Sequence, residues 1–136
     1  MNIAVRYYTR SGNTKKLADA AASAAGVKAE SVDVPLTEKA DILFLGCSYY
    51  AFDVDASVKE FIVNNKDNIC KIVLIGTSAM MKSMRKPVEK ITKAAGIELA
   101  NEEFHCRGEF KFANKGRPNE DDLKKAKEFV RRVIDL

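Results

Sequence analysis

Residues 3–26 read IAVRYYTRSGNTKKLADAAASAAG, and this stretch decides the fold. The apolar and β-branched run Ile3–Tyr8 predicts a buried strand, and the turn-prone run Ser11–Asn13 ends it. From Thr14 onward the residues are helix formers, many of them alanines, until Gly26 supplies a stop signal. The stretch therefore predicts a strand, a tight loop and a helix in succession.

The same alternation continues along the rest of the chain. A weakly alternating run at 28–34 predicts an edge strand, and short apolar runs at 41–47 and 71–76 predict buried central strands. Residues 97–106 predict a fifth strand. Apolar residues at helical spacing predict three further helices, marked by Val54–Ile62, Val88–Ala95 and Leu123–Val133. This alternation favours a parallel sheet with helices on both faces. Five strands are too few for an eight-stranded barrel, so we predict an α/β fold with one open, doubly wound sheet in a single domain, 1–136.

The composition narrows the classes of function. The chain has 136 residues, of which 46% are hydrophobic and 31% are charged, and this composition is typical of a folded domain. Its net charge of +4 lacks the clustered basic excess of nucleic-acid-binding proteins, so we expect no nucleic-acid partner. The apolar runs are all too short to span a membrane. Three cysteines without paired spacing indicate no metal site and a reducing, cytoplasmic location.

The loops that follow the strands are the expected place for function. In open parallel sheets, ligands bind beyond the carboxyl ends of the strands, which here means the loops after Tyr8, Cys47 and Gly76. The first loop combines hydroxyl groups, an amide and a glycine at a predicted helix N-terminus, where N–H groups can bind a phosphate. An ordinary N-capped turn would use the same residue types. The candidate phosphate ligands are Thr9, Arg10, Ser11, Gly12, Asn13 and Thr14.

Two short motifs in these loops resemble those of the flavodoxins. Residues 9–14 are similar to the family's phosphate loop, T/S-x-T/S-G-N-T, which directly follows the first strand. Residues 46–51 are similar to the family's G-C-S-T-W-G segment, with Tyr50 at the aromatic position that stacks on the flavin. The closing segment 116–123 resembles that of small flavodoxin-domain proteins of anaerobic bacteria. The resemblance implies FMN as cofactor, the sheet order 2-1-3-4-5 and electron transfer.

The second and third loops are expected to hold the flavin ring. Tyr50 is expected to stack on the ring, although aromatic residues at a strand end can also serve as core packing. Ala51 departs from the glycine that the family commonly has there, and alanine resists positive φ. The expected ring contacts are Ser48, Tyr49, Tyr50, Ala51, Phe52, Thr77, Ser78, Ala79 and Met80.

The basic charge separates this chain from the acidic flavodoxins. Arg10, Lys15 and Lys16 flank the phosphate loop, so we expect a less negative potential for the second reduction step. Redox partner proteins, a reductase and an acceptor, are expected to be acidic where they meet this surface.

Three functions remain open from the sequence. The first is an FMN-dependent electron carrier. The second is a small enzyme that transfers hydride from NAD(P)H to FMN or a quinone, and the third is a binding module with weak or no flavin binding. Among the other residues, Arg6 is expected to pair with a carboxylate, and His105 and Cys106 are expected to face opposite sides of a strand.

Overall fold

A computed structural model describes residues 1–48, 53–78, 83–109 and 114–135. Strands and helices alternate through these ranges, with a short 3-10 helix at Lys66–Asn68. The strands are β1 (Ile3–Tyr7), β2 (Ala29–Ser31), β3 (Ile42–Ser48), β4 (Lys71–Ser78) and β5 (Glu98–Arg107). The helices are α1 (Asn13–Ala25), α2 (Ala56–Asn64), α3 (Arg85–Ala95) and α4 (Glu120–Ile134). Within the described ranges, none of the helices has the length and apolar character needed to cross a membrane.

The five strands form one parallel sheet with the order β2-β1-β3-β4-β5, which confirms the predicted topology. The strand order reverses beside β1, because the chain moves outward from β1 to β2 and then returns to β3. In doubly wound sheets, such a reversal opens a crevice beyond the carboxyl ends of the strands. The loops after β1 and β3 flank this crevice.

Two apolar cores lie on opposite faces of the sheet. On one face, α2 and α3 pack through Val58, Phe61 and Val88. On the other face, α1 and α4 pack together, with Leu17 and Phe129 among the buried side chains. Every residue of β3 is buried, as expected for a central strand covered on both faces.

The boundaries of several elements differ from the sequence-based expectation. β2 is shorter than predicted and pairs only along Ala29–Ser31. α3 begins before the expected Pro87, which is tolerated because a first-turn residue needs no intrahelical N–H donor. β4 extends past Gly76 to Ser78, so it brings Thr77 into the sheet beside Ser48.

Arg6 pairs with a carboxylate, as the sequence predicts. Its guanidinium lies 3.3 Å from a Glu30 carboxylate oxygen and donates hydrogen bonds to the carbonyls of Val5, Val34 and Pro35. Burial lowers the pKa of Arg6, while the Glu30 charge opposes that shift. The residue therefore anchors the segment after β2 and is not available to the crevice.

Candidate functional site

The N-terminus of α1 opens at the carboxyl end of β1. Gly12 is its N-cap residue, with φ of 91°, a left-handed conformation that glycine adopts without the strain a Cβ would add. The Gly12 N–H donates to Thr9 Oγ1 at 2.9 Å, so the loop closes on itself before the helix begins. α1 has no side-chain cap and no acidic residue in its first turn. The first-turn N–H groups therefore lack a helical acceptor and can bind an anion.

Three hydroxyl groups from the three predicted loops meet beneath this helix end. Thr14 Oγ1 lies 2.8 Å from Ser48 Oγ and 2.9 Å from Thr77 Oγ1, and the last two oxygens are 3.1 Å apart. All three residues are buried, and the hydroxyls can satisfy one another as donors and acceptors. This triad, Thr14, Ser48 and Thr77, ties α1 to the carboxyl ends of β3 and β4.

The triad changes the role expected of Thr14. Its hydroxyl is fully buried and bonded to the other two loops, while its backbone N–H lies in the first turn of α1. The side chain therefore positions the helix end, and the backbone is the group left to meet a ligand. Thr9 and Ser11 are the hydroxyl residues of the phosphate loop that remain partly or fully exposed.

A fourth loop, after β5, adjoins the site and was not among the predicted loops. Asn13 Nδ2 donates to the Glu109 carbonyl at 3.0 Å. The Asn13 side chain therefore holds this loop against the start of α1. A Cβ on Gly108 would lie 3.0 Å from Asn13 Nδ2 and 3.3 Å from Thr77 Cβ, which explains the glycine. The available signal was Gly108 itself, since a glycine two residues after the predicted strand 97–106 indicates a loop at the same edge of the sheet as the other site loops.

The loop after β5 is held in turn by its own far end. The Glu109 N–H donates to the Arg117 carbonyl at 2.8 Å, and the Gly116 N–H donates to Glu109 Oε1 at 2.7 Å. Arg117 also pairs with the carboxylate of Asp122 in the first turn of α4. A continuous chain of contacts therefore links α4 to Asn13 at the start of α1.

The positive charges beside the loop are partly paired within the chain. Arg10 lies 3.5 Å from Asp55, and Lys15 lies 2.9 Å from Asp19. Hydrogen bonds from Ser57, and to a smaller extent from Arg10 and Tyr8, hold the pKa of Asp55 below its usual value. Lys16 forms no ion pair with any residue that the structure describes. The cationic excess near the loop is therefore smaller than the sequence suggests.

Several expected ring contacts fall outside the described residues, so their placement stays a prediction. These are Tyr49, Tyr50, Ala51, Phe52, Ala79 and Met80. Ser48 and Ser78 mark the points where β3 and β4 lead into those segments.

Thiol chemistry is disfavoured at this site. Burial raises the pKa of Cys47 to about 12, and its thiol contacts the thioether of the buried Met84. Burial likewise raises the pKa of Cys106 to about 12. Cys106 belongs to the core under α1 and α4, whereas His105 contacts Glu103 on the other side of β5, as the sequence predicts. No cluster of metal-ligating side chains occurs in the described part of the chain.

Comparison with known proteins shows the fold. No family model matches the chain. An uncharacterized protein of Methanocaldococcus jannaschii is 29% identical over 135 residues, which span 90% of each chain. A flavodoxin from the domain Archaea has a TM-score of 0.73 and 18% identity, over 99% of this chain and 97% of that one. Flavodoxin 1 of Bacillus cereus has a TM-score of 0.73 and 16% identity, over 99% and 98%. The chain therefore has the flavodoxin-like fold that the motif resemblance implied.

Proposed function

We propose that this chain binds FMN and carries electrons between partner proteins. The observation that carries the proposal is the uncapped N-terminus of α1, which opens beside the reversal of strand order and contains no acidic residue in its first turn. The flavodoxin-like fold supports the same assignment. FMN supplies the electron-transfer chemistry when bound, so no side chain has to act as an acid or a base.

The groups around α1 suit a phosphate. The first-turn N–H groups of Asn13, Thr14 and Lys15 have no acceptor within the helix. The hydroxyl of Thr9 accepts from the Gly12 N–H and keeps its own hydrogen to donate, and Ser11 is exposed beside it. None of these donors carries a negative charge that would repel a phosphate dianion.

The ring is proposed to bind between the loops after β3 and β4. Tyr50 would stack on its face, with Tyr49 and Phe52 nearby, and backbone N–H groups of 77–80 would meet its polar edge. The triad supports this arrangement, because it holds the starts of both loops and the phosphate loop within hydrogen-bonding distance of one another.

The first test is a fluorescence titration that compares FMN with riboflavin, which has the ring but no phosphate. We expect the apoprotein to quench FMN and to bind it about a hundredfold more tightly than riboflavin. Tyr50→Ala should lower the affinity for both ligands to a similar degree. An apoprotein that binds neither ligand at about micromolar concentration would contradict the carrier and favour a binding module.

A second variant tests the triad. Thr14→Ala should weaken FMN about tenfold, because the helix end loses its attachment, while Ser48 and Thr77 remain bonded to each other. Thr14→Ser should restore most of the affinity. Thr92→Ala is the matched control, since Thr92 is also a buried threonine but lies in α3, where its hydroxyl donates to the Glu89 carbonyl. An equal loss of affinity in the control would indicate general destabilisation.

Turnover of NAD(P)H separates a carrier from a reductase. The FMN-loaded protein should oxidise NADH or NADPH slowly in the presence of a quinone and should accept electrons readily from a reductase protein. Rapid, saturable oxidation of NAD(P)H by the purified protein alone would make it an enzyme. A redox titration of the same sample should give a less negative second potential than strongly acidic flavodoxins show, since Lys16 adds a positive charge that no described residue pairs with.

A further inference from the structure

A groove of about 830 Å³ lies between α2 and α3 on the side of the molecule opposite α1 and α4. It extends from Asp53 and Lys86, beside the starts of the two helices, to Lys66 and Ala95 at their ends. The groove does not involve the phosphate loop or the triad. It is therefore a second concave surface, separate from the candidate FMN site.

The rim of the groove is cationic. Four lysines line it, Lys59, Lys66, Lys86 and Lys90, against the single carboxylate of Asp53. Asp53 is already paired with Lys59. Lys66, Lys86 and Lys90 form no ion pair with any residue in the described ranges. The described lining of the groove therefore carries an excess of positive charge, with four lysines and one carboxylate.

The other residues that line the groove are apolar, and we call them its floor. They are Val63 of α2 and Pro87, Ile91, Ala94 and Ala95 of α3. Val63 is 52% exposed, which is unusual for a large apolar side chain on a covered helix. An apolar centre with a charged rim is the arrangement found in protein docking sites.

We propose that this groove binds an acidic segment of a partner protein, with apolar side chains of that segment on the floor and its carboxylates against the lysines. A groove between two helices suits an amphipathic segment. A nucleic acid is a poorer fit, because the lining residues that the structure describes include neither arginine for phosphates nor an aromatic side chain on which bases could stack.

The position of the groove connects the docking site with electron transfer. Asp53 directly follows the segment expected to stack on the flavin, and Lys86 closely follows the segment expected to meet its polar edge. A partner bound in the groove would contact Asp53 and Lys86, which adjoin these two segments along the chain. This connection rests on the proposed function, whereas binding of an acidic segment to the groove does not.

The test uses a fluorescein-labelled peptide with leucines at helical spacing and glutamates elsewhere, and fluorescence anisotropy as the readout. We expect saturable binding to the full chain that weakens as salt increases. Amide shift changes in NMR spectra should map to α2 and α3. Two further probes, a peptide with lysine in place of glutamate and a single-stranded oligonucleotide, should bind at least about tenfold more weakly.

Charge reversal locates the site. Lys66→Glu combined with Lys90→Glu should weaken the acidic peptide about tenfold. The matched control combines Lys28→Glu with Lys124→Glu, which makes the same change in net charge at exposed lysines outside the groove. Val63→Ala removes an exposed apolar contact at little risk to the fold and should weaken binding several-fold. Equal losses in the groove and control variants would overturn the proposal, as would tighter binding of the oligonucleotide.

Measuring the FMN affinity of the groove variants distinguishes a failure of the docking site from a failure of the proposed function. The groove variants should bind FMN with unchanged affinity, because the groove and the phosphate loop share no residue. Peptide binding by a chain that fails to bind FMN would retain the docking site and contradict the carrier. FMN binding without any peptide binding would contradict the docking site and leave the proposed carrier function standing.

Discussion

The N-termini of α1 and α4, which the loop after β5 connects, differ in what balances their positive helix dipole and their unpaired N–H groups. At α4, Asn119 Oδ1 accepts from the Asp122 N–H at 3.0 Å, and Asp122 Oδ2 accepts from the Asn119 N–H at 2.9 Å. Glu120 and Asp121 add two more carboxylates in that turn. At α1, Gly12 caps the helix without a side chain, and the first turn contains no acid.

The difference indicates where a ligand is needed. α4 carries its own anions at the positive end of its dipole, and Asp122 is further neutralised by Arg117. α1 leaves its N–H groups open at the carboxyl end of the sheet, where an external anion can complete the helix. The loop after β5 joins the two ends, because it contacts both Asn13 and Arg117. Changes that make one helix end resemble the other test this interpretation.

The largest effect is expected from giving α1 a carboxylate of its own. Ser11→Asp places a negative charge at an exposed position beside the first turn, where it competes with and repels a phosphate dianion. FMN should bind about a hundredfold more weakly, and riboflavin should be little affected. Ser11→Asn is the neutral control of the same shape and should retain most of the affinity. An unchanged FMN affinity in Ser11→Asp would show that the phosphate binds elsewhere.

The reverse change removes the self-supplied anion of α4. Asp122→Asn removes the charge of the buried Asp122 from its ion pair with the half-exposed Arg117 and weakens one side of the capping box, so the free energy of unfolding should fall by about 2 kcal/mol. Urea unfolding measures the change. Asp121→Asn is the matched control, because that exposed acid pairs only at the surface with Lys125 and should cost under about 0.5 kcal/mol. FMN affinity should stay within about threefold of the wild type, and a larger loss would mean that the β5–α4 loop couples the two helix ends.

The acid sensitivity of stability should also differ between the two ends. The Arg117 hydrogen bonds hold the pKa of Asp122 below its ordinary value of 3.8. Because the folded-state pKa is the lower one, this contribution is complete above the unfolded-state value and is lost as the pH falls through the folded-state value. The wild type should therefore lose more unfolding free energy below about pH 4 than Asp122→Asn does. Parallel pH profiles for the two proteins would contradict the assignment.

The smallest effect concerns the lysines that follow the open helix end. Lys16→Gln should weaken FMN about threefold, because Lys16 has no ion pair with the described residues. Lys15→Gln should change FMN affinity less, since the pKa of Lys15 is raised by its pairing with Asp19 and part of its charge is already compensated. A stronger effect for Lys15 would show that its ion pair opens when the ligand binds.

Local patterns in the sequence were sufficient to predict an open parallel sheet of five strands, whereas its order was implied by the resemblance to the flavodoxins. The buried run of β3 and the Asn119 cap of α4 act through neighbouring residues, so period and cap signals identify them. The loop before α1 was located for the same reason, since Gly12 and the residues around it are adjacent in the chain, whereas phosphate binding there stays a prediction. The boundaries of β2, β4 and α3 were less accurate, because pairing with neighbouring strands and packing decide where an element ends.

Such local patterns did not predict contacts between residues that are distant in the sequence. The sequence determined the alternation of strands and helices, the glycine turn before α1 and the residue types available in each loop. Only the tertiary structure decided that Thr14, Ser48 and Thr77 share one buried hydroxyl triad, that Glu109 holds Asn13, and that lysines of α2 and α3 line one groove. The physical reason is that periodicity and capping depend on residues a few positions apart, whereas these contacts depend on how the helices pack across the sheet.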